Sequence, residues 1–272
     1  MEQYKSSVPR DFKAMGISHV RIRIKDDADE KLLSLLDRVV GDCLNSNLIP
    51  VIAYQADDFK KDPSEKNAER VIAWWETVAR RYKNESSLLS FDMIIEVTDE
   101  LNREPDTLNA LYRRLVPAIR KTNPKRILMI SPRLRSDPTY LCELEIPEGE
   151  GRYLMAEWHF YAAGPSKTNE KKLWTTGTKE EKKLIQDKIS LALEWQEKHH
   201  IPTWVGAWMP GNYNDGDDYS LQEQIVFSTF MKDSLMEADI PFSINSDNQF
   251  YDREHGGWIK ETVPLLLAIY GR

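Results

Sequence analysis

Apolar and polar positions follow two rhythms along this chain. Short apolar runs of strand length occupy residues 18–24 (SHVRIRI), 49–55, 88–97, 126–132, 152–161, 203–209 and 241–246. Between them, apolar residues recur every three or four positions, the period of a helix with one buried face. The clearest case is 29–44, where Leu32, Leu35, Leu36, Val39, Val40 and Cys43 share one side. Helices are also predicted over 64–82, over a segment carrying Leu108, Leu111, Leu115 and Ile119, and over 258–269. Two more open at Thr178 with Glu181 and at Ser220 with Glu223, the reciprocal capping pattern of a helix N-terminus.

Steady strand–helix alternation predicts a parallel sheet with helices outside it. No linker or low-complexity stretch interrupts it, so residues 1–272 are expected to form a single domain. The expected architecture is α/β, a TIM-type (β/α)8 barrel, but only seven strands are visible. The opening segment, 4–15, reads as a first helix with no strand before it. The first strand is therefore missing or irregular, and an open barrel edge would favour a homo-oligomer.

Charge narrows the classes of partner. Lys and Arg total 37 against 44 Asp and Glu, a net charge of -7, which is the wrong sign for general nucleic-acid binding. The longest apolar runs are strand-sized, so no membrane-spanning helix is expected. The first residues, MEQYKSSVPRDF, lack the apolar centre of a signal peptide. Cys43 and Cys142 form no disulfide framework or metal spacing, and His199 and His200 point in different directions from a helix end. No glycine-rich phosphate loop or G-x-S-x-G elbow is present, and no cofactor is expected.

Candidate chemistry centres on FDMIIEVTDELN, where the third apolar run ends in Glu96. A carboxylate at the C-terminal end of a barrel strand lies where such folds place their active sites. Glu157 shares strand parity with His159 and Tyr161, so all three are expected to point into the barrel, with Arg21 or Arg23 as partners for the glutamate. Trp174 and Trp208 lie at or beyond strand ends, where flat rings can stack on sugars; Trp158 and Trp258 are weaker candidates. Trp74, Trp75 and Trp195 read as helix packing. Arg133 and Arg135 follow the fourth strand, and their planar forks suit carboxylates and sulfates.

Several segments together resemble glycoside hydrolase family 5, the cellulase-like retaining glycosidases. They are MGISHVRIRI, FDMIIEV, AIRKTNPKRILMISP, AEWHFY, WTTGTKEEKKLI and IPTWVGAWMPG. The resemblance implies action on a β-linked glucan-type polysaccharide or oligosaccharide, and secretion or a periplasmic location after removal of any leader. It implies Glu96 as general acid/base, with Ile95 where the family has an asparagine. The nucleophile position falls on Ala207, which cannot act as one. Arg21, His159 and Tyr161 match residues that hold the site's geometry, Gln55 takes the place of a histidine, and Asn245 and Asp247 stand where a tryptophan platform is usual. Three explanations stay open: a nucleophile-to-alanine variant, relocated chemistry through Glu157, Asp99 or Asp247, or a sugar binder without turnover. A cleaving enzyme for acidic glycans, using Arg133 and Arg135, is a further alternative.

Overall fold

A computed structural model describes residues 4–149, 151–161, 174–210, 219–245 and 249–271. Among these, seven parallel strands pair strictly in chain order. They are β1 (His19–Ile24), β2 (Ile49–Tyr54), β3 (Ser90–Asp92), β4 (Leu128–Ile130), β5 (Leu154–Tyr161), β6 (Thr203–Met209) and β7 (Phe242–Ile244). The sheet curls into a nearly closed barrel, surrounded by helices. These are α1 (Val8–Ala14), α2 (Glu30–Asn45), α3 (Asp57–Lys61), α4 (Glu65–Arg81) and α5 (Pro105–Arg120). They continue with the four-residue turn α6 (Arg133–Ser136), then α7 (Lys179–His199), α8 (Leu221–Glu237) and α9 (Val263–Tyr270).

The helices form where the periodicity places them, and their starts are chemically marked. The Asp29 side chain accepts from the Leu32 amide at 2.8 Å, satisfying one of α2's free donors. Both reciprocal capping boxes, Thr178 with Glu181 and Ser220 with Glu223, are formed. The apolar faces bury Leu33, Leu36 and Val40 of α2, Val71 and Trp75 of α4, and Leu111, Leu115 and Ile119 of α5 against the outside of the sheet. Burying each Leu or Ile contributes roughly 1.5–3 kcal/mol. A smaller cluster of Val51, Met129 and Trp204, apart from this helix-facing core, fills the barrel's lower interior.

Three predicted strands are longer than the observed ladders. At 126–132 the ladder spans only Leu128–Ile130, because Arg126 turns away to donate to the carbonyls of Tyr82 (2.8 Å) and Leu89 (2.9 Å). At 88–97 regular pairing stops at Asp92; Met93 and Ile95 still donate to Met129 O and Tyr54 O, but the backbone bends and reaches a left-handed φ of 50° at Glu96. The seventh ladder covers Phe242–Ile244 of the expected 241–246, whose last residue lies outside the described residues. The expected helix at 4–15 is confined to Val8–Ala14.

Among the described residues β1 and β7 each pair on one side only, and side chains bridge the seam. Trp204 Nε1 donates to His19 Nε2 at 3.0 Å, and the Ser243 hydroxyl lies 2.8 Å from the same nitrogen. Burial, with help from Arg21, pulls the imidazole down to about 4, so His19 is neutral and can accept there. Removing the cap of α7 gives a local test of this fold. Thr178→Ala is expected to lose about 1 kcal/mol, read as a lower urea midpoint at unchanged slope.

Candidate active site

β1, β3, β4 and β5 and the segments that follow β3 and β4 bring one group of polar side chains together inside the barrel. Arg21, from the middle of β1, donates to Asp92 Oδ2 at 3.2 Å and forms a close ion pair with Glu157 Oε1. On β5, Glu157 and His159 are two residues apart and therefore face the same side. His159 Nε2 lies 2.6 Å from Glu157 Oε1 and 3.3 Å from Arg21. The other Glu157 oxygen accepts from the Ser131 hydroxyl at 2.7 Å, just beyond β4. Ser131 itself is fixed by Tyr112 of α5, whose hydroxyl donates to its carbonyl at 3.1 Å and accepts from its amide at 3.0 Å.

Glu96 closes the group from above. Its left-handed backbone is unusual for a residue with a side chain, and the surroundings must enforce it. His159 Nδ1 lies 3.6 Å from Glu96 Oε1, so one imidazole stands between Glu96 and Glu157. Arg135 reaches within 3.9 Å of Glu96 Oε2. It gets there because Leu134 and Arg135 are both left-handed and the turn is tied to the exit of β3: Arg135 N donates to Val97 O (2.8 Å) and Leu134 N to Asn102 Oδ1 (2.7 Å).

Glu157 is wholly buried, at 0% exposure. Burial opposes its charge, but Arg21, His159 and Ser131 more than compensate and pull the carboxyl down to about 2. Burial likewise opposes a charge on His159, yet Glu157 and Glu96 raise it above the ordinary histidine value. Asp92 goes the other way: burial and the neighbouring Glu157 carboxylate push it well up, and its Oδ1 has no hydrogen-bond partner. The surroundings therefore favour the ionised form of Glu157 and the neutral form of Asp92.

The packing of β5 on β6 explains Gly206. Pairing shifts by one residue there: Trp158 stands opposite Val205, but His159 opposite Ala207. Glu157 lies directly over the skipped glycine, and a Cβ at 206 would collide with its carboxylate. Ala207 is 1% exposed, with its methyl in a small apolar cluster with Met209.

Other expected site residues are distributed unevenly. Gln55 follows β2, with its buried Oε1 free of hydrogen bonds. Asn245 donates its backbone N–H to Trp208 O at 2.9 Å, beyond β7. Asp99 is exposed and hydrogen-bonded to Thr98. Tyr161 ends β5 opposite Met209, and Asp247 lies outside the described residues.

The aromatic expectations need correction. Trp174 and Trp208 are both 0% exposed, packed around Phe227 of α8, so neither has a ring face open to a sugar. Trp208 alternates outward from the barrel, toward the helix layer. Trp158 is equally buried, and Trp258 stacks on Phe12. Arg133 is also not a ligand arm: Glu143 holds it through two bonds at 2.7 and 2.9 Å, and it lies over the Tyr140 ring. Asp92 and Ser131 were not anticipated. Asp92 shares strand parity with Glu96, which is the signal that could have found it; Ser131 has only its place two residues after inward-facing Met129.

The model of Cellulase (glycosyl hydrolase family 5) matches residues 2–240. The chain is 28% identical over 254 residues to Endoglucanase H of Acetivibrio thermocellus, covering 88% of this chain but 27% of that protein. It thus spans about a quarter of that curated relative's length. Among solved structures, Thermotoga maritima Cel5A, crystallised with mannotriose, superposes with a TM-score of 0.84 at 23% identity, covering 98% of this chain and 90% of that one. The clostridial cellulose synthase subunit Z from Clostridioides difficile gives 0.83 at 21%, covering 97% and 92%. The chain belongs to glycosyl hydrolase family 5.

The ionised state of Glu157 sets a pH test. A carboxyl held below its ordinary 4.5 contributes stability above that value and loses it as pH falls toward about 2. Glu157→Gln should therefore cost about 3 kcal/mol at pH 7. The difference from the parent chain should shrink between pH 4.5 and 2 in denaturant titrations.

Proposed function

We propose that this chain, acting as one barrel unit, binds a neutral β-linked glucan across the C-terminal face of the barrel, with hydrolysis impaired at a single position. Glu96 is the acid/base: it stands at the exit of β3, within 3.6 Å of His159, and protonates the leaving glycosidic oxygen. Arg21, His159 and Tyr161 maintain the site's geometry, and Gln55 and Asn245 contribute to binding. The name of Endoglucanase H and the mannotriose bound to Cel5A support a β-glycan as ligand.

The observation that carries the impaired reading is the state of the second carboxylate. Retention requires two carboxyl groups about 5 Å apart, one of them free to attack the anomeric carbon. Position 207 offers a methyl group. Glu157 is fully enclosed, and both of its oxygens are engaged by Arg21, His159 and Ser131, so it has no approach to a sugar. Asp99 is exposed beyond the turn at Glu96 and hydrogen-bonds Thr98. Relocated chemistry is thus the weaker reading. The acidic-glycan reading loses its support as well, because Arg133 is paired with Glu143 and Arg135 faces Glu96.

Reducing-sugar release from a panel of neutral and acidic β-glycans tests this directly. The parent chain is expected to bind cello-oligosaccharides with little or no release. Ala207→Glu is expected to raise turnover on neutral β-glucan by more than about 100-fold, with retained anomeric configuration. Strong activity in the parent chain, lost in Glu96→Gln, would instead establish a relocated partner for Glu96.

A further inference from the structure

A second cluster of polar side chains lies outside the candidate site, on the seam between β1 and β7. Its centre is His19, the first residue of β1 and half-buried there. His19 Nε2 accepts the indole N–H of Trp204, on β6, at 3.0 Å, and the hydroxyl of Ser243, on β7, stands 2.8 Å from the same nitrogen. On the other side of the ring, Nδ1 lies 2.9 Å from the Ser18 hydroxyl. An indole nitrogen can only donate. Nε2 is therefore the unprotonated nitrogen, and the ring proton sits on Nδ1, facing Ser18.

These contacts span a gap that the backbone leaves. β1 pairs with β2 and β7 with β6, but no ladder joins β1 to β7 among the described residues. Elsewhere backbone bonds join neighbouring strands, and these do not titrate; at the seam a titratable ring makes the connection. Its partners cannot all adapt to a second ring proton. The Ser18 and Ser243 hydroxyls rotate and can reverse between donating and accepting. The Trp204 N–H cannot, because it belongs to a ring 2% exposed, in the apolar cluster with Val51 and Met129. A proton on Nε2 thus sets two N–H donors against each other at 3.0 Å. Charge adds to the conflict. Arg21, two residues along β1, lies over the Trp204 ring at 5.6 Å and disfavours a cation at His19. Trp204 and Ser243, which face His19 from β6 and β7, are uncharged, and Ile49 stands opposite it on β2. Among the described residues no carboxylate contacts the ring to offset this.

We propose that His19 is an acid-released latch on the barrel seam: a proton on Nε2 breaks its contacts with Trp204 and Ser243 and loosens β1 from β6 and β7. Because β1 also carries Arg21, the loosened strand takes with it the cation that Glu157 and Asp92 share, so acid reaches the barrel's inner polar group through the seam. In the closed barrel the imidazole is held down to about 4, against an ordinary 6.5. Once the seam opens, the ring regains its ordinary affinity, so the open form takes the proton first. Opening is therefore favoured progressively as pH falls from 6.5 to about 4, and levels off below. This window lies above the one in which Glu157 loses its charge, from 4.5 toward about 2. The latch is independent of what the barrel binds.

Nuclear magnetic resonance of the imidazole reads the latch at its source, with the His19 signal assigned from its loss in His19→Gln. In the parent chain the ring is expected as the Nδ1–H tautomer at neutral pH, titrating near 4. In Trp204→Phe, which removes the donor that cannot turn, it should titrate at least about 0.5 higher. Hydrogen exchange, corrected for its intrinsic pH dependence, reads the seam. Opening of β1 and β7 in the parent chain is expected to grow by up to about tenfold per pH unit between 6.5 and 4, while β3 and β4, opposite the seam, stay protected. His19→Gln, whose amide does not titrate, should show no such growth. An Nε2–H tautomer, a titration unmoved by Trp204→Phe, or acid opening of β1 and β7 that is equal in the parent chain and His19→Gln overturns the proposal. Acid opening of all seven strands together also overturns it. Should neither variant fold, the tautomer of the parent ring and the order in which its strands open decide the matter by themselves.

Discussion

The buried carboxylate of Glu157 is the constraint around which this barrel is built. A charge at zero exposure survives only with every lone pair engaged, and four elements contribute to that end: Arg21 from β1, Ser131 after β4, His159 on β5, and Tyr112 of α5 acting through Ser131. The same carboxylate requires a residue without a side chain on the next strand, and Gly206 meets this at the point where β5 and β6 change register. One ionised group thus links the middle of β1 to the far side of the barrel. It also acts on its neighbours, raising the proton affinity of both His159 and Asp92.

That arrangement bears on chemistry through position 207. Arg21 and His159, which in a retaining site would attend a reactive carboxylate, are here occupied by one that is enclosed. Glu96 retains its place, its histidine and its arginine. On the proposed reading, the site is a glycan cleft with one half of the two-carboxylate pair. Strain at Glu96, Leu134 and Arg135 lies beside the buried polar group, the kind of place where backbone strain is most often retained.

The tryptophans show how a plausible reading fails. Trp174 and Trp208 occupy strand-end positions in sequence, and a ring at such a place can face either a sugar or a helix. Phe227 of α8 resolves the choice by filling the space between them. Arg133 and Arg135 make the same point: two residues apart in a loop, they were equivalent on paper. A left-handed turn sends one to Glu143 and the other to Glu96.

Much of the architecture was legible from local pattern. Short apolar runs placed the strands and period-3.6 runs the helices, capping residues marked two helix starts, and strand parity put Glu157 and His159 on the barrel's inner face. These are properties of neighbouring residues, and the sequence by itself determined them. It also determined that a methyl group stands at position 207. Tertiary structure alone decided that Glu157 is locked over Gly206, that its surroundings favour its ionised form, and that Lys60 is buried. Each depends on groups brought together from distant segments, and on how much water their packing leaves. Burial and charge compensation are properties of the assembled barrel, and no spacing along the chain encodes them.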